Sequence, residues 1–252
     1  MSGKGFRIEP VQQEDVPALA EMAESAFEDD RHTNMKNLAQ EPFDMKSYTL
    51  SSMPTLLKRP ICILIKAVDE ETGAIMGVCN WGFRGVKAAD MPKVEGRIQP
   101  PDEPPKEPAP EPTPEEIEAE EKAAAAETDP VKRLVRLTNK DMEDFMKKTM
   151  PPGTRCMFII GLTVDPKYQG RGVGSALLKW GTNVCDEMGL FAWVHSSAGA
   201  WKMYEKCGFE IVQTLKVDLD EYAPCKPPNE GPDAKWGEYV FRYMKYFGKS
   251  TK

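Results

Sequence analysis

The segment from Leu162 to Ser175 constrains the fold more than any other part of the chain. An apolar run ends at Asp165-Pro166, and a glycine-rich stretch follows it directly. Apolar residues then recur at helical spacing as far as Met188, which predicts a strand, a glycine-rich loop and a helix in immediate succession. This order is typical of a mixed α/β architecture in which helices cover a sheet.

The glycine-rich loop has the composition of a phosphate-binding cradle. Its three glycines let backbone N–H groups approach a ligand without obstruction by side chains, and the positive end of the following helix lies at the same place. Gln169 and Arg171 add side-chain donors, and Ser175 is placed to cap the helix or to reach a phosphate oxygen. The alternative interpretation is that the glycines only form a tight turn and allow close helix packing.

Two motifs resemble those of the GNAT superfamily of N-acetyltransferases. The first, Gln169-x-x-Gly172-x-Gly174, is similar to the superfamily's Gln/Arg-x-x-Gly-x-Gly/Ala signature. It lacks the further glycine of a dinucleotide-binding fingerprint and the Gly-Lys-Ser/Thr ending of a P-loop. The second motif, from Ala200 to Phe209, is similar to the superfamily's later pattern Ala-x-x-Leu-Tyr-x-x-x-Gly-Phe and follows at the usual distance.

The resemblance and the hydrophobic pattern together predict a single domain over residues 1–252 with the GNAT fold. We expect a mixed central sheet of about six to seven strands, flanked by helices. Within residues 29–58 we expect one or two short helices, interrupted by Pro42 and Pro54. The predicted strands are Phe6–Val11, Ile61–Val68, Ala74–Phe83, Arg155–Val164, Leu190–His195, Phe209–Leu219 and Tyr239–Tyr246. The other predicted helices are Glu14–Phe27, Glu115–Glu127, Val131–Met150, Gly172–Met188 and Gly199–Cys207.

Residues 87–130 differ in composition from the rest and form a Pro/Glu/Ala-rich insertion within this domain. They contain 13 acidic and 5 basic residues, which leaves 27 acidic and 28 basic residues elsewhere in a chain of net charge −7. Pro100 to Pro114 is predicted to be extended or mobile, and Thr113-Pro-Glu-Glu116 is a typical helix start. The insertion resembles those of fungal members of the superfamily.

Composition also indicates the partners and the compartment. The chain has six cysteines without a C-x-x-C pair and only two histidines, so we expect free thiols, a reducing compartment and no metal. The near-neutral remainder of the chain carries no basic stripe for nucleic acid. No apolar run is long enough for a signal core or a membrane span. We therefore expect a cytoplasmic protein with no nucleic-acid or membrane partner, and a homodimer is left open.

The resemblance implies acetyl-CoA as co-substrate and a direct attack of an amine on the thioester. It further implies that Tyr204 donates a proton to the departing thiolate, and that the strand edge before the loop pairs with the pantetheine arm. Backbone N–H groups on this edge are expected to stabilise the carbonyl oxygen. An alternative is that Tyr204 only packs. The implied cofactor-binding residues are Leu162, Thr163, Val164, Gln169, Gly170, Arg171, Gly172, Val173, Gly174, Ser175 and Ser197, the last standing where relatives often have an asparagine.

The general base is the point at which the sequence departs from the family pattern. Many members carry a glutamate on the strand before the loop, whereas this strand contains no acid. We expect His195 to serve as the base, because an imidazole of reference pKa about 6.5 suits this task. A hydrogen-bonded strand-end histidine is an equally good interpretation. Other candidates are Asp165, Glu28, Asp29 and His32, or water.

The predicted function is N-acyl transfer from acetyl-CoA to a primary amine, with a small-molecule acceptor. Residues 27–58 are expected to form the acceptor pocket, because the corresponding region closes over the acceptor in the family. One alternative is a protein or peptide N-acetyltransferase that uses the insertion for docking. Another is a non-catalytic sensor that binds acyl-CoA, which the missing acid would explain.

Overall fold

The computed structural model describes residues 5–98, 113–228 and 230–249, and these ranges contain seven strands and seven α-helices. The strands are β1 (Phe6–Pro10), β2 (Cys62–Asp69), β3 (Ile75–Arg84), β4 (Cys156–Val164), β5 (Phe191–Ser196), β6 (Glu210–Asp218) and β7 (Glu238–Tyr246). The helices are α1 (Val16–Ala26), α2 (Arg31–Lys36), α3 (Met45–Leu57), α4 (Pro114–Ala126), α5 (Pro130–Thr149), α6 (Val173–Met188) and α7 (Trp201–Lys206).

All seven strands belong to one sheet with the order β1-β2-β3-β4-β5-β7-β6. Only the central pair, β4 and β5, is parallel, and every other neighbouring pair is antiparallel. A parallel pair needs a crossover connection, and α6 provides it between these two strands. The predicted mixed sheet flanked by helices is therefore confirmed.

The sheet is covered by helices on both faces. β2 and β3 are buried along almost their whole length, as expected for strands between two helical layers. On one face Ile63 and Trp81 pack with residues of α6. On the other face Leu64 and Val78 pack with residues of α1 and α3. The same alternation divides β5, so that Val194 faces the α6 side and Trp193 faces Phe145 of α5.

Two sequence predictions about the connecting segments have clear outcomes. Pro54 does not interrupt its segment but lies inside α3, so this expectation was wrong. The helix continues because one missing N–H removes a single backbone hydrogen bond, while Met53 holds the helix in the core. The predicted start of α4 is confirmed, since Thr113 and Glu116 form a reciprocal capping box. The stretch Pro100 to Pro114, predicted to be extended or mobile, lies largely outside the described residues.

Three further observations concern the described residues only. No helix among them is both long enough and apolar enough to cross a bilayer. No group of three or more His, Cys, Asp or Glu side chains in this part of the chain is arranged to hold a metal ion. Four of the six cysteines are buried, Cys207 is half-buried and Cys225 is exposed, and all six are free thiols.

Candidate active site

The sheet opens between β4 and β5. The two strands pair only from Cys156 to Phe158 on one side and from Phe191 to Trp193 on the other. Beyond this point β4 continues to Val164, still paired with β3 but with no described strand on its other edge. At about 3.3 Å per residue, the six unpaired positions give an open edge of roughly 20 Å.

An irregularity in β4 marks the start of this opening. The register with β3 shifts between Asn80 and Trp81, which pair with Gly161 and Ile159, so that Ile160 is the extra residue. Its side chain is 40% exposed, although its neighbour Ile159 is buried. A bulge of this kind bends the strand and redirects its backbone groups. It therefore helps to turn the edge of β4 away from β5.

The glycine-rich loop lies at the end of the open edge and has the conformation that its sequence predicts. Gly170 and Gly172 have φ values of +74° and +81°, which strongly favour glycine. A Cβ at Gly172 would meet no atom within 4 Å, so the space beside the loop is open. The first intrahelical bond of α6 runs from Ala176 N to Gly172 O. The N–H groups of residues 172–175 have no acceptor among the described residues and are available to a ligand.

Two positions of the predicted cofactor set serve packing rather than contact with a ligand. Val173 is 1% exposed and belongs to the core, so only its backbone N–H is available at the loop. Gly174 faces α7, because a Cβ there would lie 2.4 Å from the Met203 sulfur. The glycine at this position therefore permits close packing of α6 against α7. The phosphate-binding interpretation thus applies to Gly172, whereas the packing interpretation applies to Gly174.

The polar side chains of the loop lie around its rim. Gln169 donates from Nε2 to the carbonyl oxygen of Val164 at 3.2 Å, which ties the loop to the end of β4. Arg171 is exposed, and its guanidinium lies 5.3 Å from the ring centre of Tyr168. The Asp165 carboxylate accepts from the N–H of Lys167 at 2.8 Å and so caps the turn before the loop. Arg171 is the only cation among these three side chains, and it directly precedes the free N–H groups in sequence.

Tyr204 is deeply buried on the α6 side of the sheet. It is 4% exposed, belongs to the same core cluster as Val194, and meets Phe209 edge to face at 5.6 Å. Burial raises the pKa of its hydroxyl far above the usual value, and the nearby Cys79 and Cys207 act in the same direction. The hydroxyl is therefore protonated at every working pH, as a proton donor requires. Its deep packing also agrees with the alternative of a structural tyrosine.

His195 lies on the opposite face of β5 from Val194 and hence from Tyr204. Its ring is stacked on Tyr243 at 4.6 Å and on Phe241 at 4.9 Å. Burial lowers the pKa of His195 to about 4, although Asp141 acts in the opposite direction. Its Nε2 atom is buried and has no hydrogen-bond partner among the described residues. The imidazole is thus neutral near pH 7 and able to accept a hydrogen bond, but it is a weaker base than a free histidine.

A second histidine, His32, lies beside His195 on this side of the opening, although the two are far apart in the sequence. His32 of α2 meets the ring of Phe241 edge to face at 4.8 Å, and its Nε2 is also buried without a described partner. Burial lowers the pKa of His32 to about 4, with Lys36 acting in the same direction and Asp30 in the opposite one. Both histidines of the chain therefore lie on one aromatic cluster, although they are far apart in sequence.

A hydrogen-bonded network connects α2 with the turn after β5. The hydroxyl of Tyr239 donates to Asp30 at 2.6 Å and accepts from the N–H of Ala198 at 3.2 Å. Burial raises the pKa of Tyr239 and the neighbouring Ser197 acts in the opposite direction, so Ser197 lies beside this network. Asp30 in turn accepts from the backbone and hydroxyl of Thr33. Tyr239 on β7 gave no sign of this role in the sequence, since a tyrosine in an alternating strand is an ordinary core residue.

The remaining candidate bases are less well placed. Glu28 and Asp29 are exposed, and Asp165 is engaged as the cap described above. Trp81, which lies within β3, is fully buried beneath α6 rather than in the opening. The structure therefore brings only His195 and His32 of the candidate bases together at one place.

The residues of this site fit acetyl-CoA. The open edge of β4 offers unpaired backbone groups to an extended arm that carries amides. The free N–H groups at the start of α6 suit a diphosphate, and their approach is not obstructed at Gly172. The two sides of the opening are chemically different, with Tyr204 on one face and the histidine pair on the other.

Comparisons with known proteins agree with this geometry. The model of the acetyltransferase (GNAT) family matches residues 99–209, which include β4, the loop, α6 and α7. A comparison with curated proteins finds no match.

Solved structures of N-acetyltransferases share the fold over nearly the whole chain. For arylalkylamine N-acetyltransferase 2 from Aedes aegypti the TM-score is 0.56 at 15% identity, covering 95% of this chain and 97% of that one. For a polyamine N-acetyltransferase from Drosophila melanogaster the TM-score is 0.53 at 16% identity, with coverages of 95% and 98%. For an agmatine N-acetyltransferase it is 0.54 at 16% identity, with the same coverages. With the two motifs and the opened sheet, these findings show that the chain has the GNAT fold and that its residues 99–209 match the acetyltransferase (GNAT) family.

Proposed function

We propose that this protein transfers an acetyl group from acetyl-CoA to a primary amine of a small molecule. The observation that carries the proposal is the opening between β4 and β5, which leads directly to the free N–H groups at the start of α6. One end of this opening suits a diphosphate and its centre suits a thioester. The solved relatives named for agmatine, polyamines and arylalkylamines support a small amine as acceptor.

The backbone supplies most of the binding. In this proposal the N–H groups of residues 172–175 and the Arg171 guanidinium bind the diphosphate, since anions are stabilised at helix N-termini. Gln169 positions the loop through its bond to Val164. The free edge of β4 aligns the pantetheine arm, and N–H groups at Leu162, Thr163 or Val164 polarise the thioester carbonyl.

Tyr204 supplies the proton for the leaving group. A tyrosine has a reference pKa of about 10 and a thiol about 8.5, so transfer to a free thiolate is unfavourable. Burial raises the pKa of Tyr204 further, which increases this difference. The proton therefore moves as the C–S bond breaks and negative charge develops on sulfur, and not after the thiolate has formed. The attacking nitrogen loses one proton as it becomes an amide nitrogen, and this proton returns through water to the Tyr204 oxygen, so that amine and thioester give amide and thiol.

On the opposite face, His195 and His32 receive the acceptor amine. Their buried Nε2 atoms have no described partner, and each unpaired polar atom costs about 1–3 kcal/mol. An amine N–H bound between them satisfies one or both atoms. Because burial lowers both pKa values to about 4, the pair acts mainly by accepting hydrogen bonds from a neutral amine. This role differs from the general base expected of His195 from the sequence.

The test is the release of free CoA thiol from acetyl-CoA with a panel of acceptors. The panel contains polyamines, arylalkylamines, amino acids, amino sugars and a lysine-rich peptide. We expect turnover with one class of small amine and little with the peptide. Turnover with the peptide alone would contradict the small-molecule acceptor, and the same assay after removal of residues 91–128 would then test whether the insertion docks proteins.

A non-catalytic sensor is the second candidate, and two observations favour it. β4 carries no carboxylate, and the histidine pair is only weakly basic. The sensor predicts micromolar or tighter binding of acetyl-CoA by calorimetry together with no thiol release for any acceptor. Turnover above the rate of spontaneous hydrolysis would exclude it.

A further inference from the structure

A second concave site lies beside the glycine-rich loop. It has a cavity volume of about 450 Å³ and lies between α6, the end of α7 and the chain after β7. Its polar lining consists mainly of lysines, with a hydroxyl from Ser175 and a thiol from Cys207. We call it the lysine pocket, and its lining includes Ser175, Lys179, Lys206, Cys207, Tyr246 and Lys249.

The charge of the lysine pocket favours an anion. Its lining contains three lysines and no carboxylate, in a chain whose net charge is −7. Lys249 is held by Asp186 at 2.9 Å, so its charge is largely offset. Within residues 5–98, 113–228 and 230–249, neither Lys179 nor Lys206 has a carboxylate within ion-pair distance. Two uncompensated ammonium groups therefore remain at one cavity, and ammonium groups bind phosphate through charge-assisted hydrogen bonds.

The position of the pocket indicates which phosphate it receives. Ser175 is the third residue of α6 and carries one of the free N–H groups of the loop, and its side chain also lines the pocket. Lys179 follows one helical turn later, a rise of about 6 Å at 1.5 Å per residue. The pocket thus begins where the diphosphate site ends. A ligand bound by its diphosphate at the loop reaches the pocket with groups on the adjoining ribose.

We propose that the lysine pocket binds the 3′-phosphate on the adenosine of CoA, with Lys179 and Lys206 as its main ligands. This inference rests on the proposed function, in which the loop binds the CoA diphosphate. The Ser175 hydroxyl donates to the same phosphate. The pocket accordingly distinguishes CoA from a cofactor that lacks the 3′-phosphate.

The test is isothermal titration of the full chain with CoA, with 3′-dephospho-CoA and with inorganic phosphate. The variants are Lys179→Gln, Lys206→Gln and the double variant, and Lys140→Gln on α5 is the control because it is 76% exposed and outside the pocket. We expect the wild type and the control to bind CoA about 10- to 100-fold more tightly than dephospho-CoA, given charge-assisted hydrogen bonds to phosphate. Each single variant should lose about half of the binding free energy behind this preference, and the double variant nearly all of it. Binding of dephospho-CoA should be unchanged throughout, and inorganic phosphate should not bind measurably.

Several outcomes separate this inference from the proposed function. If neither nucleotide binds, the proposed function fails together with the inference. If both bind equally well to the wild type, the pocket does not recognise the 3′-phosphate, while CoA binding stands. Equal weakening of both ligands in the lysine variants would assign the lysines to the diphosphate and overturn the inference. Binding of inorganic phosphate that Lys179→Gln abolishes, without any preference for CoA, would assign the pocket to a free anion and overturn it as well.

Discussion

His32 and His195 contact the same ring, that of Phe241, at centroid distances of 4.8 and 4.9 Å. His32 lies in α2 and His195 lies near the end of β5, so 163 positions separate them in the sequence. The fold places both imidazoles in an aromatic cluster with Tyr239 and Tyr243. Each keeps one buried nitrogen without a described partner, so both imidazoles can accept a hydrogen bond.

This arrangement predicts a dependence of stability on pH. The folded protein holds both histidines neutral to about pH 4, whereas the unfolded chain protonates them near pH 6.5. The unfolded state therefore binds more protons between these values, and the free energy of unfolding falls as the pH falls from about 6.5 to about 4. Each histidine contributes at most roughly 3 kcal/mol to this change.

Urea unfolding at pH 7.0, 5.5 and 4.5 measures the effect. His32→Gln and His195→Gln should each reduce the difference in unfolding free energy between pH 7.0 and 4.5, relative to the wild type. The comparison between variants removes the contribution of the carboxylates, which is common to all of them. An unchanged pH dependence in both variants would show that the histidines titrate alike in the folded and unfolded states.

The packing of α6 on the sheet depends on Gly181. A Cβ at this position would lie 2.1 Å from the ring of Trp81, and Trp81 is fully buried. Because an indole in a packed core cannot move aside, we expect Gly181→Ala to lower the free energy of unfolding by about 1–3 kcal/mol, despite the higher helix propensity of alanine. Thermal unfolding checks this, with Gly199→Ala as control because its Cβ would meet no atom within 4 Å. Equal melting temperatures for the two variants would contradict the packing described here.

Gly172 and Gly174 should respond differently to substitution. Gly172→Asp places a carboxylate in the open space of the loop, where it repels a diphosphate, so we expect a loss of CoA affinity of at least about tenfold. Its control, Gly172→Asn, has the same shape and tolerance for positive φ without the charge. Gly174→Ala instead meets Met203 and should lower thermal stability, with rescue by the additional change Met203→Ala. Equal CoA affinity for Gly172→Asp and Gly172→Asn would show that the diphosphate does not bind at this loop.

Tyr204→Phe tests the proton donor. The substitution removes one hydroxyl from a buried ring and leaves its contact with Phe209 intact, so we expect little change in melting temperature. If Tyr204 donates the proton, kcat falls by about 10²-fold, while the KM for acetyl-CoA changes little. Steady-state thiol release on the best acceptor of the panel measures both constants. A kcat within about twofold of the wild type would favour the packing interpretation of Tyr204.

Local sequence patterns determined most of the secondary structure of this protein and the conformation of its glycine-rich loop. The positions of the strands, the glycines of the loop and the Thr113–Glu116 capping box follow from interactions between residues that are near neighbours in the chain. The family resemblance rests on the same kind of local pattern, at Gln169 to Gly174 and at Ala200 to Phe209. Such features can be predicted because their energetic basis lies within one element or one turn.

Only the tertiary structure decided which residues meet. The Gly174 position faces Met203, and Trp81 lies under Gly181, because the crossing of α6 over the sheet brings distant residues into contact. The two histidines meet at Phe241 for the same reason, and the lysine pocket joins α6 to residues near the end of the chain. No local pattern encodes these contacts, since side-chain packing between elements depends on how the whole sheet is assembled.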